Sequence, residues 1–115
     1  FQPRPDANPL DLIQLFELDD TAFRARFRHT PLWRPRRRGL LRNAAIVLGN
    51  RPTPAAVPAL VRGLNDEESL VRSASAWALG NHVDPTARAA LANRRQFERD
   101  PVVIQEIEAS LHCRD

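Results

Sequence analysis

Three consecutive guanidiniums, Arg36, Arg37 and Arg38, stand at the head of a helical stretch within TrpArgProArgArgArgGlyLeuLeuArgAsn, residues 33–43. The positive end of a helix dipole favours acids, so each uncompensated arginine there costs about 0.3–1 kcal/mol. A bound anion reverses that sign. Free N–H groups at a helix start, joined to guanidiniums that hold phosphate bidentately, suit a phosphodiester backbone. Arg34 belongs to the same block, and Arg24, Arg26 and Arg28 extend the cationic track upstream. Arg42 and Asn43 follow on the polar strip, where Asn43 can donate to a phosphate or close the next loop. Two other readings stand beside this one: a solvated basic face, or a face docked on an acidic neighbouring domain. Trp33 is either a stacking platform for a base or a plug at the edge of a core. Arg72 occupies the same position as Arg42 in a later repeat, and its structural reading is a salt bridge to an acid such as Asp66.

Charge distribution sharpens the contrast. All 17 basic side chains are arginine and the formal net charge is only +3. Residues 1–20 carry a net −4, residues 21–65 hold ten arginines and no acid, and residues 66–115 return to −3. A cationic block thus lies between two mildly acidic ends, the electrostatic pattern of a chain that meets an anionic partner.

Catalytic groups are sparse. His29, His82, His112, Cys113 and scattered carboxylates are the candidates, and no histidine pair has metal-ligand spacing on one helix face. A nucleophile needs a base held in geometry by a third group, and four glycines form no phosphate-binding loop. One cysteine excludes an internal disulfide, a zinc knuckle or an iron–sulfur cluster held wholly by this chain. No catalytic and no metal-ligating residue is expected. No apolar run nears the ~20 residues of a membrane span, and no signal peptide is visible, so the cytosol is the expected compartment. The chain lacks Met and begins at Phe1, as a segment of something larger would.

The elements that must position these residues read as helices. Residues 1–8, with two prolines, form an arm; residues 9–115 form one helical domain. Asn8-Pro9 opens a first helix through Leu12, Leu15 and Phe16. Asp19 or Asp20 caps a second one carrying Phe23 and Phe27. His29–Pro35 is a loop holding Trp33, and Arg36–Leu48 is helical with a left-handed stop at Gly49-Asn50. Thr53-Pro54 opens the next helix, with Val57, Leu60, Val61 and Leu64 on one face. Ser69–Leu79 follows. Asp84-Pro85 and Asp100-Pro101 cap the last two, the former running to about Phe97 and the latter over Val102–Leu111. Nothing alternates with period two. The fold class is all-α.

The helices repeat. LeuArgAsnAlaAlaIleValLeuGlyAsn at 41–50 returns as ValArgSerAlaSerAlaTrpAlaLeuGlyAsn at 71–81, and AspProValVal at 100–103 starts a third copy. A period of about 30 residues with two helices each marks an α-solenoid of about three helical pairs. The pattern at 71–80 is similar to HEAT-like repeats of the kind named after phycocyanobilin lyases.

Several stretches together resemble the C-terminal part of the epoxyqueuosine reductase family. These are PheGlnProArg at 1–4, LeuPheGluLeuAspAsp at 15–20, ThrProLeuTrpArg at 30–34 and ArgArgGlyLeuLeuArgAsnAlaAlaIleValLeuGlyAsn at 37–50. The resemblance implies a parent oxidoreductase that reduces epoxyqueuosine at the wobble position of tRNA, with a cobalamin and two 4Fe-4S clusters bound upstream. It further implies that the first eight residues leave a ferredoxin-like domain, and that this repeat domain grips the tRNA anticodon stem-loop. Arg34, Arg36, Arg37, Arg38, Arg42 and Asn43 are the RNA-binding candidates in the matching motif. A monomer without membrane contact is expected. The alternative is a protein-interaction scaffold whose basic face docks an acidic partner; a phycobilin lyase-like role is weaker, for want of a pigment cleft.

Overall fold

The computed structural model describes residues 9–17 and 33–112. It contains α1 (Pro9–Glu17), α2 (Trp33–Asn50), a 3-10 turn (Pro54–Ala56) that runs into α3 (Val57–Leu64), α4 (Ser69–Gly80), α5 (Pro85–Arg95) and α6 (Pro101–His112). The described residues hold no strand, as the absence of period-two alternation predicts. No described helix is long and apolar enough to cross a membrane.

Two layers result. α1, α3 and α5 stack in one, and α2, α4 and α6 stack in the other, with each pair packed across the layer boundary. Leu41, Leu48, Leu60, Leu64, Leu79, Leu91 and Ile107 are fully buried between the layers. Removing each such side chain from water stabilises the fold by about 1.5–3 kcal/mol. The expected stripe on α3 faces this core: Val57, Leu60 and Leu64 are buried, and Val61 packs partly against them.

Caps follow the residue types. Thr86 N–H donates to Asp84 Oδ1 at 2.7 Å, and Val102 N–H to Asp100 Oδ1 at 2.9 Å. Each aspartate precedes a proline at the first helical position, which has no N–H to satisfy. Hydrogen bonds also join one repeat to the next. Asn81 Nδ2 donates to the Gly49 carbonyl at 3.2 Å, and Arg94 Nη1 to Asn65 Oδ1 at 3.3 Å.

Several expectations need correction. α2 begins at Trp33, not Arg36, so Trp33–Pro35 belong to a helix instead of a loop. Pro35 fits there because the first-turn N–H groups have no intrahelical partner to lose. α5 ends at Arg95, short of Phe97. No described glycine has a positive φ, so Gly49 is not a left-handed stop. Its purpose is proximity: a Cβ on Gly49 would lie 2.6 Å from Trp77 Cζ3 and 2.9 Å from Ala78 Cα. Gly80 repeats the device against Ser110, where the nearest atoms would be 2.7 Å away. The LeuGlyAsn signature therefore encodes close approach of successive second-layer helices. The arm at 1–8, the second helix expected after Asp19, and Arg24, Arg26, Arg28 and His29 lie outside the described residues.

Candidate nucleic-acid interface

Because α2 starts at Trp33, Arg37 and Arg38 fall in its second turn, beyond the first-turn reach of the dipole. α2 also runs beside the turn between α3 and α4, where Asp66, Glu67 and Glu68 cluster. Arg37 is 7% exposed and clasps the Asp66 carboxylate with both terminal nitrogens, Nη1 donating to Oδ2 at 3.2 Å and Nη2 to Oδ1. Asp66 Oδ2 also accepts from Glu68 N–H at 2.9 Å, so the same carboxylate orders the entry to α4. Arg38 Nη1 stands 3.7 Å from Glu68 Oε2, a looser and half-exposed pairing. The acid-free stretch of sequence thus meets its acids in space. Arg37, one of the expected RNA-binding candidates, clamps one repeat to the next through Asp66.

The next repeat boundary uses the same logic with different residues. Arg72 on α4 donates to Glu98, Nε to Oε1 at 2.8 Å and Nη2 to Oε2 at 3.1 Å. Its Nη1 donates to the carbonyls of Asp66 and Glu67. The salt bridge expected for Arg72 therefore forms, but its carboxylate comes from the following repeat while Asp66 supplies only a carbonyl. Arg94 Nε adds a bond to Glu98 Oε1 at 3.1 Å, and Asp100 N–H one to Oε2 at 3.1 Å. Burial by itself pushes the Glu98 carboxyl up; the hydrogen bonds of Arg72, Asp100 N–H and Arg94, with the Arg72 charge, outweigh it and hold the group below the ordinary carboxylate range.

Arg42, which matches Arg72 with a one-residue slip between the copies, has no such acid. It is exposed, and its bond is to its neighbour, Nη1 to Asn43 Oδ1 at 3.3 Å; no carboxylate among the described residues pairs with it. Beside it opens a cleft of about 300 Å³, formed by Arg42 and Ile46 of α2, Leu70, Ala74 and Trp77 of α4, and Glu106 of α6. Arg42 lines this cleft and bonds to Asn43 beside it, whereas Arg37 is held at the α3–α4 turn by Asp66. Arg34 and Arg36 lie in the first turn of α2. Sequence reasoning missed Trp77 and Glu106. The available signal was positional: Trp77 replaces the Ile46 of the preceding copy when LeuGlyAsn is aligned, and both side chains line the cleft.

The repeat pattern, the stacked helix pairs and the glycine contacts agree with a comparison to known families, in which the model described as HEAT repeats matches residues 36–112. The chain belongs to the HEAT-repeat family. Over 83 residues it is 36% identical to an epoxyqueuosine reductase of Xanthomonas campestris pv. campestris, a match covering 71% of this chain and 23% of the relative. Over 110 residues it is 31% identical to an epoxyqueuosine reductase of Listeria monocytogenes serovar 1/2a, covering 94% of this chain and 29% of the relative. The chain thus spans roughly a quarter of the length of these curated relatives. No solved structure matches it significantly.

Within these HEAT repeats one titratable candidate, His82, has a structural role. His82 is buried; Thr53 N–H donates to its Nε2 at 3.3 Å and its Nδ1 contacts the Ala78 carbonyl at 2.9 Å. Those partners define the Nδ1–H tautomer and tie the α2–α3 connection to α4. His112 ends α6, and Cys113 lies beyond the described residues. Among the described residues no three His, Cys, Asp or Glu side chains converge as metal ligands would. A lone cysteine does not fit a 4Fe-4S cluster, which takes four thiolates.

Proposed function

We propose that this HEAT solenoid is the RNA-gripping module of an epoxyqueuosine reductase, holding the anticodon stem-loop of tRNA while the parent reduces epoxyqueuosine to queuosine at the wobble position. One observation carries the reading: Arg42 presents a guanidinium without a carboxylate partner among the described residues beside an open cleft, in a chain similar to two such reductases. Asn43 accepts from Arg42 and leaves its amide N–H₂ to donate, so the pair offers phosphate a charged fork and a neutral donor. Arg34 and Arg36, in the first turn of α2, complete the contact set with Arg38 at its margin; Arg37 is left out because Asp66 holds it. Cobalamin and two 4Fe-4S clusters belong to upstream domains of the parent, which acts as a cytoplasmic monomer.

Hairpin binding by the chain at two salt concentrations tests this. Neutralising ~3–4 phosphates gives a log–log salt slope of roughly −2 to −4. Arg34→Glu, Arg36→Glu and Arg42→Glu together abolish binding while helical content stays constant. Unchanged affinity in the triple variant sinks the reading.

A further inference from the structure

We propose that the cleft between α2, α4 and α6 is a pocket for one unstacked guanine-type base, with Glu106 reading the base and Arg42 holding its phosphate. The inference rests on the RNA reading above and adds a ligand subsite to it. Glu106 lines the cleft and makes no hydrogen bond or ion pair among the described residues. Its neighbour on the same helix, Glu108, is by contrast paired with Arg95 at 3.2 Å. The cleft therefore carries one charge of each sign without an ion-pair partner among the described residues, Arg42 from α2 and Glu106 from α6, across a floor of Ile46, Leu70, Ala74 and Trp77 that is apolar except for Ser73.

That combination disfavours a bare phosphate track. A carboxylate repels a polyanion, so a groove meant only for backbone has no use for Glu106. It suits a ligand with an anion at one end and paired N–H donors at the other. Single-stranded RNA is recognised by laying splayed bases on aromatic rings and bonding their Watson–Crick edges. Guanine presents N1–H and N2–H₂ side by side, matching the two oxygens of a carboxylate; adenine, cytosine and uracil present no such adjacent pair. Trp77 supplies the aromatic surface, and its position is set by the close approach of Cζ3 to Gly49. At about 300 Å³ the cleft is at the small end of ligand sites, sized for one base.

Trp33→Phe leaves Trp77 as the sole indole, since the chain has two tryptophans and no tyrosine. In that background, seven-nucleotide uridine strands with a central guanosine, inosine or adenosine are titrated at low salt. The guanosine strand quenches Trp77 and binds about tenfold more tightly than the adenosine strand. Inosine, lacking the 2-amino group, loses most of that gain. Glu106→Gln erases the guanosine preference, so that the three strands bind alike, whereas Arg42→Ala weakens all three and keeps their order. Equal affinity for the three strands, absent quenching, or uniform tightening by Glu106→Gln overturns the base pocket while the Arg42-dependent RNA reading stands. No binding of any strand, with the hairpin bound no better, overturns both.

Discussion

Arg72 grips Glu98 through two parallel bonds of 2.8 and 3.1 Å, one residue on α4 and the other in the turn that precedes α6. The Arg72 side chain also reaches the Asp66 and Glu67 carbonyls, so one guanidinium ties together the turns of two successive repeats. A solenoid buries its core only through neighbour contacts, and this clamp fixes the spacing at one such boundary. The Glu98 side chain is 1% exposed, so losing Arg72 leaves a buried carboxylate held only by Arg94 and the Asp100 N–H. Arg72→Ala is expected to cost about 3 kcal/mol in urea unfolding; a cost under ~1 kcal/mol would show that Arg94 suffices alone.

The lowered Glu98 pKa sets a pH dependence. The unfolded carboxyl titrates near ~4.3, and the unfolded chain binds the proton first as pH falls. The Glu98 contribution is therefore complete above that value and disappears as pH drops through the lower folded value. Unfolding free energies of the wild type and Glu98→Gln, compared from pH 7 to 3, converge at the acid end. A constant gap across that range contradicts the assignment.

Gly39 and Gly49 share α2 but respond oppositely to an added methyl. A Cβ at Gly39 meets nothing within 4 Å, while one at Gly49 meets the Ala78 backbone at 2.9 Å. Gly39→Ala gains about 0.5–1 kcal/mol from helix propensity. Gly49→Ala loses about 1–3 kcal/mol because α2 and α4 must separate. Thermal unfolding of the two variants shows shifts of opposite sign, and equal signs would refute the close-approach role.

Two buried serines give a second contrast. Ser110 Oγ donates to the Ala76 carbonyl at 3.0 Å, whereas Ser75 Oγ is buried without a hydrogen-bond partner among the described residues. Ser110→Ala costs about 1 kcal/mol; Ser75→Ala is neutral or stabilising by a similar amount. Chemical denaturation midpoints rank the pair.

Arg37 and Arg42 separate stability from binding. Arg37→Ala breaks the Asp66 clamp and lowers stability by about 2–3 kcal/mol, with hairpin affinity below the melting transition unchanged. Arg42→Ala does the reverse. A binding loss in folded Arg37→Ala protein would return that residue to the RNA surface.

Part of this was legible in the chain because it depends on neighbours in sequence. Helix type, the caps at Asp84 and Asp100, the apolar face of α3 and the 30-residue repeat are local or periodic facts, and each appears as expected. The start of α2 was misplaced because the first turn tolerates Pro35, which left nothing in the local pattern to separate Trp33–Pro35 from the preceding loop.

Sequence alone determined that the chain is a helical repeat with a block of arginines. Which arginines remain open to solvent was decided by tertiary structure, through pairings 26 and 29 residues apart. Coulomb attraction falls with spatial separation, not with position along the chain. Packing brought Asp66 to Arg37 and Glu98 to Arg72, while among the described residues no acid reached Arg42.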